Sequence, residues 1–301
     1  MSKVFCSLPW MHLASHPHGG TTICCVANHE GGISRARNWA PVRKNVLPNN
    51  VGNDEFLNLK DHSIEQLMNA DSFNELRLQM LNGEEPVTCK RCFREEENGI
   101  HSKRLRENEI YSHHTEEIAR ANTNEDGSIK AINLEFIELR LGNICNAKCR
   151  TCNPWSSSKW ISDYNKLQSK FTTLDLFDKG MNQFDWPEQE KFWNDLFENS
   201  KNAKVFYING GEPTLIKEHF RFLKRMIKAG RTNVKLWYNI NMTNMTEEII
   251  EIWKQFDYVE VGFSIDDVED RNEYIRHPTK WTDVTKSVNM LKKARKDLPF
   301  H

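Results

Sequence analysis

The chain has 301 residues and a formal net charge of −1, with 38 % hydrophobic and 28 % charged residues. These values are typical of a soluble globular protein with one large or two ordinary domains, and they argue against a disordered chain. The near-neutral charge gives no electrostatic reason to expect a nucleic acid or a membrane surface as partner. No long apolar run or apolar N-terminal segment is present, so we expect a cytoplasmic protein.

Residues 1–107 are expected to form a small, loop-rich domain that contains five of the eight cysteines. Broken amphipathic periodicity predicts a helix over residues 63–81. Residues 90–109 mix positive and negative side chains, which is typical of a solvated face. Residues 108–130 are polar and carry a turn signal at 124–128, so we interpret them as a linker that can hold a helix over 110–121.

Strands and helices alternate from residue 131 onward. This pattern predicts βα units and a parallel sheet, closed or open. The predicted strands are 133–141, 204–209, 235–240 and 258–265, and the predicted helices are 188–199, 217–229, 247–256 and 281–295.

Chemically reactive residues follow each of the four predicted strands. In parallel α/β folds the carboxyl ends of the strands meet at one edge, where ligands bind. We therefore expect the four segments to contribute to one site. In chain order they are the cysteines at 145–152, the Gly-Gly-Glu-Pro run at 210–213, Asn239 with Asn241, and Ser264 with Asp266.

Cys145, Cys149 and Cys152 are spaced so that three thiolates can hold three irons of a cubane cluster. No fourth cysteine follows them. An iron without a protein ligand can bind and activate a small molecule, whereas a fully ligated cluster only transfers electrons. The triplet therefore predicts an enzyme.

The triplet, together with Gly-Gly-Glu-Pro after the next strand, resembles the radical S-adenosylmethionine (SAM) superfamily. The resemblance covers residues 131–301. It implies a 4Fe-4S cluster that binds SAM and cleaves it reductively to a 5′-deoxyadenosyl radical, which abstracts hydrogen from a substrate. It also implies the SAM contacts: Gly210, Gly211 and Glu212 at the ammonium, Pro213 at the start of the next helix, Ser264 and Asp266 beside the ribose and carboxylate, and Arg276 at the carboxylate.

Three features depart from the superfamily pattern. Thr151 stands where an aromatic residue often packs on adenine, which leaves Trp155 as one alternative. The third strand ends in Asn239-Ile-Asn241 rather than a Thr-Asn-Gly type of sequence. The chain supplies about four βα units where six are typical, so we expect a partial (βα) barrel in a core domain over 131–301 that is C-terminally incomplete.

The N-terminal cysteines form a second candidate metal site. Four thiolates, from Cys6, Cys24, Cys89 and Cys92, can hold a 4Fe-4S cluster or a structural zinc ion. Residues 4–107 resemble the auxiliary-cluster domain called SPASM or twitch, placed before the core, and this resemblance implies a second 4Fe-4S cluster. Cys25 is the spare thiol and could replace Cys24.

The resemblance implies a peptide or protein as substrate and a reductant such as flavodoxin or ferredoxin. Two alternatives remain open at this stage. One is a non-enzymatic iron–sulfur or zinc protein with a redox or interaction function. The other is a radical SAM enzyme that modifies a small molecule or tRNA. We assign none of the eleven histidines to a metal, since single histidines are more often surface or core residues.

Overall fold

The four strands of the strand–helix alternation lie in one sheet. The structure is a computed structural model, and it describes residues 3–27, 37–38, 55–168 and 184–295. The chain divides into two units. Unit 1 takes the chain up to Ser15, Gly20–Ile137 and Glu198–Asn202, and unit 2 takes His16–Gly19, Glu138–Phe197 and the chain from Ala203 onward. No helix among the described residues is both long enough and apolar enough to cross a membrane.

Unit 1 is built from short strands and helices. Strands β1 and β2 pair antiparallel, as do β3 and β4. A 3-10 turn at Val87–Cys89 precedes α4. In chain order the elements are α1 (Leu8–Met11), β1 (His12–Ser15), β2 (Thr21–Thr22), β3 (Arg37–Asn38), β4 (Glu55–Phe56), α2 (Ile64–Met68), α3 (Asp71–Leu81), α4 (Lys90–Glu97), α5 (Lys103–Ile110) and α6 (Glu116–Ala121).

The single helix predicted over 63–81 is wrong, because the structure divides it into α2 and α3. Ser63 begins α2 with a capping box to Gln66, and Ala70 is extended between the two helices. The break leaves carbonyl groups at the end of α2 without helical partners. Arg77 donates to the carbonyl of Met68, and the Asn74 side chain donates to that of Asn69 at 3.0 Å.

The mixed-charge segment 90–109 is also not simply a solvated face. It forms α4 and α5, and Arg104 and Glu107 are buried. Arg104 can be buried because Glu96 pairs with its guanidinium and the carbonyl of Phe5 accepts a further bond at 2.9 Å. The helix expected over 110–121 is shorter, since α5 ends at Ile110 and α6 begins after the Thr115 cap.

Unit 2 contains the alternating strands and helices, except for the first two residues of the first strand and the last two residues of the second helix, which belong to unit 1. Short 3-10 turns at Ser158–Trp160, Trp186–Glu188 and Pro213–Leu215 lie between the longer elements. In chain order the elements are β5 (Phe136–Arg140), α7 (Ile161–Gln168), α8 (Glu190–Asn199), β6 (Val205–Asn209), α9 (Lys217–Lys228), β7 (Lys235–Ile240), α10 (Glu247–Trp253), β8 (Tyr258–Phe263), α11 (Glu269–Ile275) and α12 (Trp281–Ala294).

The four strands of this alternation lie in chain order, β5-β6-β7-β8. Strands β6 and β7 pair in parallel from Val205↔Lys235, and β7 and β8 from Lys235↔Tyr258. The expected α/β class and parallel pairing are therefore confirmed, and among the described residues the sheet is open rather than closed. The predicted strand 133–141 is longer than β5 at its start, and 258–265 is longer than β8 at its end.

The two faces of this sheet differ. On one face Phe206 packs against Phe222 of α9, and Tyr238 packs against Trp253 of α10, with ring centroids 5.6 and 4.7 Å apart. On the other face the half-buried rings of Tyr207 and Trp237 stack at 4.2 Å. Helices α7 and α11 were not predicted, since each is short and lacks a clear apolar stripe.

Candidate functional site

The cysteine triplet lies in a loop that begins where β5 ends. The amide of Leu141 donates to the carbonyl of Asn209 at 2.8 Å, so the chain still pairs with the neighbouring strand at this point. Gly142 follows with a φ of +64°, and a Cβ there would lie 2.4 Å from the carbonyl oxygen of Phe184. Only glycine fits this turn, which directs the next residues across the end of the sheet.

Hydrogen bonds within the loop fix its shape. The amide of Ser158 donates to the carbonyl of Asn143 at 2.7 Å, and the Asn143 side chain donates to the carbonyl of Pro154 at 2.8 Å. The Ser157 hydroxyl donates to the carbonyl of Ala147, and the Trp160 indole donates to that of Cys149 at 3.0 Å. The backbone that carries the three cysteines is thus ordered by the chain itself.

The thiols have the character of metal ligands. A hydrogen bond from the Cys149 thiol, together with the positive charge of Arg276, lowers the pKa of Cys152 to about 6. The Nη1 atom of Arg276 lies 3.7 Å from the Cys149 sulfur. Burial raises the pKa of Cys145. Two sulfurs that share a proton beside a cation can exchange that proton for iron, so the donor set fits a cluster held by thiolates.

The Gly-Gly-Glu turn after β6 packs directly on the cysteine loop. Gly210 has a φ of +83° and Gly211 a φ of +52°. A Cβ on Gly211 would lie 2.3 Å from the carbonyl oxygen of Ile144, to which the amide of Glu212 donates at 2.8 Å. The two motifs therefore form one structure, and the close backbone contact between them requires glycine at position 211.

Glu212 is buried, and both of its carboxylate oxygens accept hydrogen bonds. One oxygen accepts from the amide and hydroxyl of Thr214, at 3.2 and 2.6 Å, and the other accepts from the amide of Asn241 at 2.7 Å. Burial raises the pKa of Glu212, although these hydrogen bonds lower it in part. The carboxylate therefore links the ends of β6 and β7, and Pro213 begins the 3-10 turn that follows.

A chain of amides and hydroxyls extends from Asn241 into the cysteine loop. The Asn241 side chain donates to Asn146 at 2.7 Å, and Asn146 donates to the hydroxyl of Thr243 at 2.7 Å. Met242 lies between them with a φ of +62°, a strained conformation for a buried side chain. Asn146 and Thr243 were not predicted from sequence. The Asn-x-Thr spacing, which favours a side-chain turn, is the signal that could have found Thr243.

The fourth strand brings the remaining predicted residues to the same edge. The amide of Ser264 donates to the carbonyl of Ile240 at 2.8 Å, and Asp266 pairs with Nε of Arg276 at 2.8 Å. The amides of Lys148 and Arg150 donate to the carbonyls of His277 and Ile275, at 2.6 and 2.8 Å. Arg276 is therefore held against the cysteine loop by its own backbone neighbours and is not a surface arginine.

Thr151 and Trp155, the two residues considered for packing on adenine, differ in their surroundings. Thr151 is exposed. Trp155 is half-buried, and its ring contacts Phe184 at 5.6 Å and His18 at 5.7 Å in edge-on geometry. These contacts indicate that Trp155 packs against protein.

The N-terminal cysteines converge in unit 1. Cys6, Cys24, Cys89 and Cys92 line one cavity together with the side chains of Lys103 and Arg104. Burial raises the pKa of Cys6 to about 12 and also raises the pKa of Cys24 and Cys89, and the neighbouring thiols add to each increase. Four thiols that line one cavity suit a metal centre, which would supply the positive charge that four thiolates require.

Helix α5 positions Cys6 in this cavity. The Asn108 side chain accepts from the amide of Ser7 and donates to the carbonyl of Phe5, both at 2.9 Å. Arg104 donates to the same Phe5 carbonyl. Cys25, by contrast, is exposed and does not line the cavity. The structure thus brings Cys24 rather than Cys25 to the other three thiols.

Comparison with known protein families decides between an iron–sulfur protein of undefined type and an enzyme. The family model for the radical SAM superfamily matches residues 139–299. The chain belongs to the radical SAM superfamily. It is therefore an enzyme of the radical SAM kind, and its family implies a 4Fe-4S cluster, SAM and SAM-cleaving radical chemistry. No curated protein matches the chain.

The matched segment of this radical SAM enzyme contains the cysteine loop, the Gly-Gly-Glu turn and the ends of all four strands. The match begins after the N-terminal cysteines. It therefore says nothing about the cavity in unit 1, whose function is inferred from its lining residues alone. The non-enzymatic alternative considered from the sequence is thereby ruled out for the chain as a whole.

Proposed function

We propose that this radical SAM enzyme holds its SAM-binding 4Fe-4S cluster on Cys145, Cys149 and Cys152 and modifies a peptide or protein. One observation carries the proposal: the hydrogen bond from the Glu212 amide to the Ile144 carbonyl joins the Gly-Gly-Glu turn to the cysteine loop. When bound, cluster and SAM supply a 5′-deoxyadenosyl radical that abstracts hydrogen from the substrate.

The chain's own residues would orient SAM beside the cluster. The turn at Gly210 and Gly211 exposes backbone groups without side chains, which suits an ammonium group at close range. Glu212 adds a buried negative charge next to that position while it fixes Asn241. Arg276, which pairs with Asp266 at the end of the fourth strand near Ser264, would bind the SAM carboxylate through its remaining guanidinium nitrogens.

We further propose a SPASM- or twitch-type auxiliary 4Fe-4S cluster on Cys6, Cys24, Cys89 and Cys92. The shared cavity and the two flanking cations, Lys103 and Arg104, support it, because a cluster with four thiolates carries net negative charge. A zinc ion on the same thiols is the competing outcome. All eight cysteines are free thiols, so we also propose a reducing, cytoplasmic environment.

The half-buried sheet face is the proposed substrate surface. Tyr207 and Trp237 present stacked rings there, and Asn239 donates to the Tyr207 hydroxyl at 2.6 Å. Phe263, at the end of the neighbouring β8, is 44 % exposed. Aromatic rings with adjacent amide and hydroxyl groups suit a peptide side chain and backbone. A reductant such as flavodoxin or ferredoxin would deliver the electron.

The central experiment measures iron and 5′-deoxyadenosine after anaerobic reconstitution of the whole chain with SAM and dithionite. We expect about eight irons per chain and deoxyadenosine formation. The C149S variant should lose about half of the iron and all deoxyadenosine. The C25S variant, which changes an exposed thiol outside both sets, should behave as wild type. Deoxyadenosine formation that is unchanged in C149S would refute the assignment.

The auxiliary cluster and the substrate class need separate measurements. The C92S variant should lose about four irons while the remaining cluster still binds SAM. Zinc in place of those irons would refute the second cluster but not the enzyme. Deoxyadenosine formation should increase with a pool of synthetic peptides and not with bulk tRNA, and W237A should abolish that increase. Stimulation by tRNA alone would refute the peptide proposal.

A further inference from the structure

Two adjacent histidines and a buried carboxylate converge outside both cysteine sites, in unit 1. His113 and His114 lie in the turn between α5 and α6, and Glu135 directly precedes β5. Their potential ligand atoms all lie within 4.8 Å of one another. The amide of His114 donates to the carbonyl of Tyr111 at 2.9 Å, and this turn lets both imidazoles face the same carboxylate.

The distances within this cluster match those around a single metal ion. Nε2 of His113 lies 2.9 Å from one oxygen of Glu135, and Nε2 of His114 lies 3.1 Å from the other. Ligands that each lie about 2.0–2.2 Å from a common ion are about 3.0–3.5 Å apart for neighbouring positions. The two nitrogen–oxygen pairs therefore have nearly the spacing that an ion between them requires.

Two further observations separate this cluster from an ordinary ion pair. Glu135 is buried, and among the described residues no lysine or arginine forms an ion pair with it. Nε2 of His114 is also buried and has no hydrogen-bond partner within the part of the chain described, because its approach to Glu135 lacks hydrogen-bond geometry. A buried carboxylate and an unpartnered ring nitrogen are together satisfied by one cation.

We propose that His113, His114 and Glu135 bind a divalent transition-metal ion of the zinc type. Two imidazoles and one carboxylate are a favoured donor set for zinc. The His113 side chain is 55 % exposed, which provides a route for the ion and leaves room for water at the remaining coordination positions.

The surrounding residues support the ligands. The Asn133 side chain donates to Glu135 at 3.4 Å, and the amide of Glu135 donates to the carbonyl of Met11 at 2.9 Å. The Tyr111 ring lies between the rings of His113 and Phe136, with centroids 6.4 and 6.3 Å away. Such outer contacts fix ligand orientation and increase metal affinity.

The test is zinc binding to the iron-loaded whole chain, measured by equilibrium dialysis and elemental analysis. Iron loading occupies the cysteine thiols, so that zinc does not bind there. The iron content of each sample shows whether the thiols remain occupied during dialysis. Wild type should bind one zinc per chain more than H113A or H114A, whose zinc affinity should be at least about tenfold weaker. His113 is largely exposed, so H113A should fold normally even if E135Q, at the buried position, does not.

The matched control is H101A. His101 also contacts a carboxylate, Glu109, at 3.0 Å, but both side chains are exposed and no third ligand from the described part of the chain adjoins them. H101A should bind zinc as wild type does. If wild type, H101A, H113A and H114A bind the same amount of zinc with the same affinity, the proposed site does not exist and the cluster is an ion pair only. The readout is zinc, so this result is independent of deoxyadenosine formation.

Discussion

At the residue scale, Gly211 makes the sharpest prediction. Its φ is +52°, and a Cβ would lie 2.3 Å from the carbonyl oxygen of Ile144. The G211A substitution should separate the turn from the cysteine loop. Because a displacement of about 1 Å can cost about 100-fold in rate, deoxyadenosine formation should fall by that order, with SAM affinity reduced as well.

Gly230 provides the matched control for this substitution. It also has a positive φ, +67°, but no atom of the described residues lies within 4 Å of the position that its Cβ would take. G230A therefore introduces the same backbone strain without the clash, and should leave SAM affinity and rate near wild type. Equal loss of rate in the two variants would show that strain, rather than contact with the loop, is responsible.

Arg77 makes a prediction about stability. Its buried guanidinium donates to the carbonyls of Pro9 at 2.9 Å, of Gly127 at 3.1 Å and of Met68. Burial lowers its pKa to about 9. R77M leaves these carbonyls without partners, which should lower the free energy of unfolding by about 3 kcal/mol or more. Urea denaturation of wild type and R77M measures this difference in the free energy of unfolding.

The control for Arg77 is the same substitution at Arg91. This side chain is 62 % exposed and pairs with Glu95 one helical turn away at 2.9 Å. R91M should leave the free energy of unfolding close to that of wild type, because an exposed ion pair contributes little to stability. If R77M is no more destabilising than R91M, the buried hydrogen bonds do not hold unit 1 together as inferred.

The same residues show how far sequence alone could lead. Cysteine spacing and the Gly-Gly-Glu run predicted the residues that meet at the edge of the sheet, because few other residue types can perform that chemistry. Asn146 and Arg77 have no such signature. Their function depends on contacts with residues far away in the chain, Asn241 and Pro9, which no local pattern reveals.

At the element scale, helix α5 holds one ligand of the proposed auxiliary cluster in place, and its sequence does not reveal this. Its charged sequence resembles a solvated helix, and only the fold shows that Asn108 and Arg104 hold the backbone on either side of Cys6. Strands β5 to β8 were easier to predict, since their apolar runs and separating helices are local features. Segment 90–109 was misread because a buried ion pair and an exposed one have the same composition.

The Asn108 side chain can be tested directly. N108A removes the hydrogen bonds to Phe5 and Ser7. The free energy that holds the segment around Cys6 in place should therefore fall by about 1–2 kcal/mol. We expect faster loss of the auxiliary irons to a chelator, with SAM cleavage retained at first. N98A, at an exposed helix end, should lose iron at the wild-type rate. Identical rates for both variants would contradict this positioning function.

At the scale of the whole molecule, the described residues of each unit include a histidine that is buried and uncharged. Burial lowers the pKa of His12 to about 3 in unit 1, where its ring stacks on Phe136 at 4.4 Å. Burial likewise lowers the pKa of His219 to about 3 in unit 2, where its Nε2 lies 2.6 Å from the Tyr238 hydroxyl. In the folded state both rings therefore stay unprotonated above about pH 3.

These two histidines predict that both units lose stability in mild acid. Below about pH 6.5 the unfolded chain binds protons at both rings and the folded chain does not, so the free energy of unfolding falls by about 1.4 kcal/mol per pH unit for each histidine, down to about pH 3. Buried Glu212, whose pKa is raised, opposes this trend, so the informative quantity is the difference between variants.

Hydrogen exchange at pH 7.5, 6.5 and 5.5 separates the two contributions, because peptides from β1 report on unit 1 and peptides from β7 report on unit 2. H12Q should reduce the acid-induced increase in exchange in β1 alone, and H219Q should reduce it in β7 alone. H101Q, which changes an exposed histidine, should reduce neither. If H219Q protects β1 as strongly as β7, the two units unfold together, and the histidines destabilise one cooperative structure instead of two.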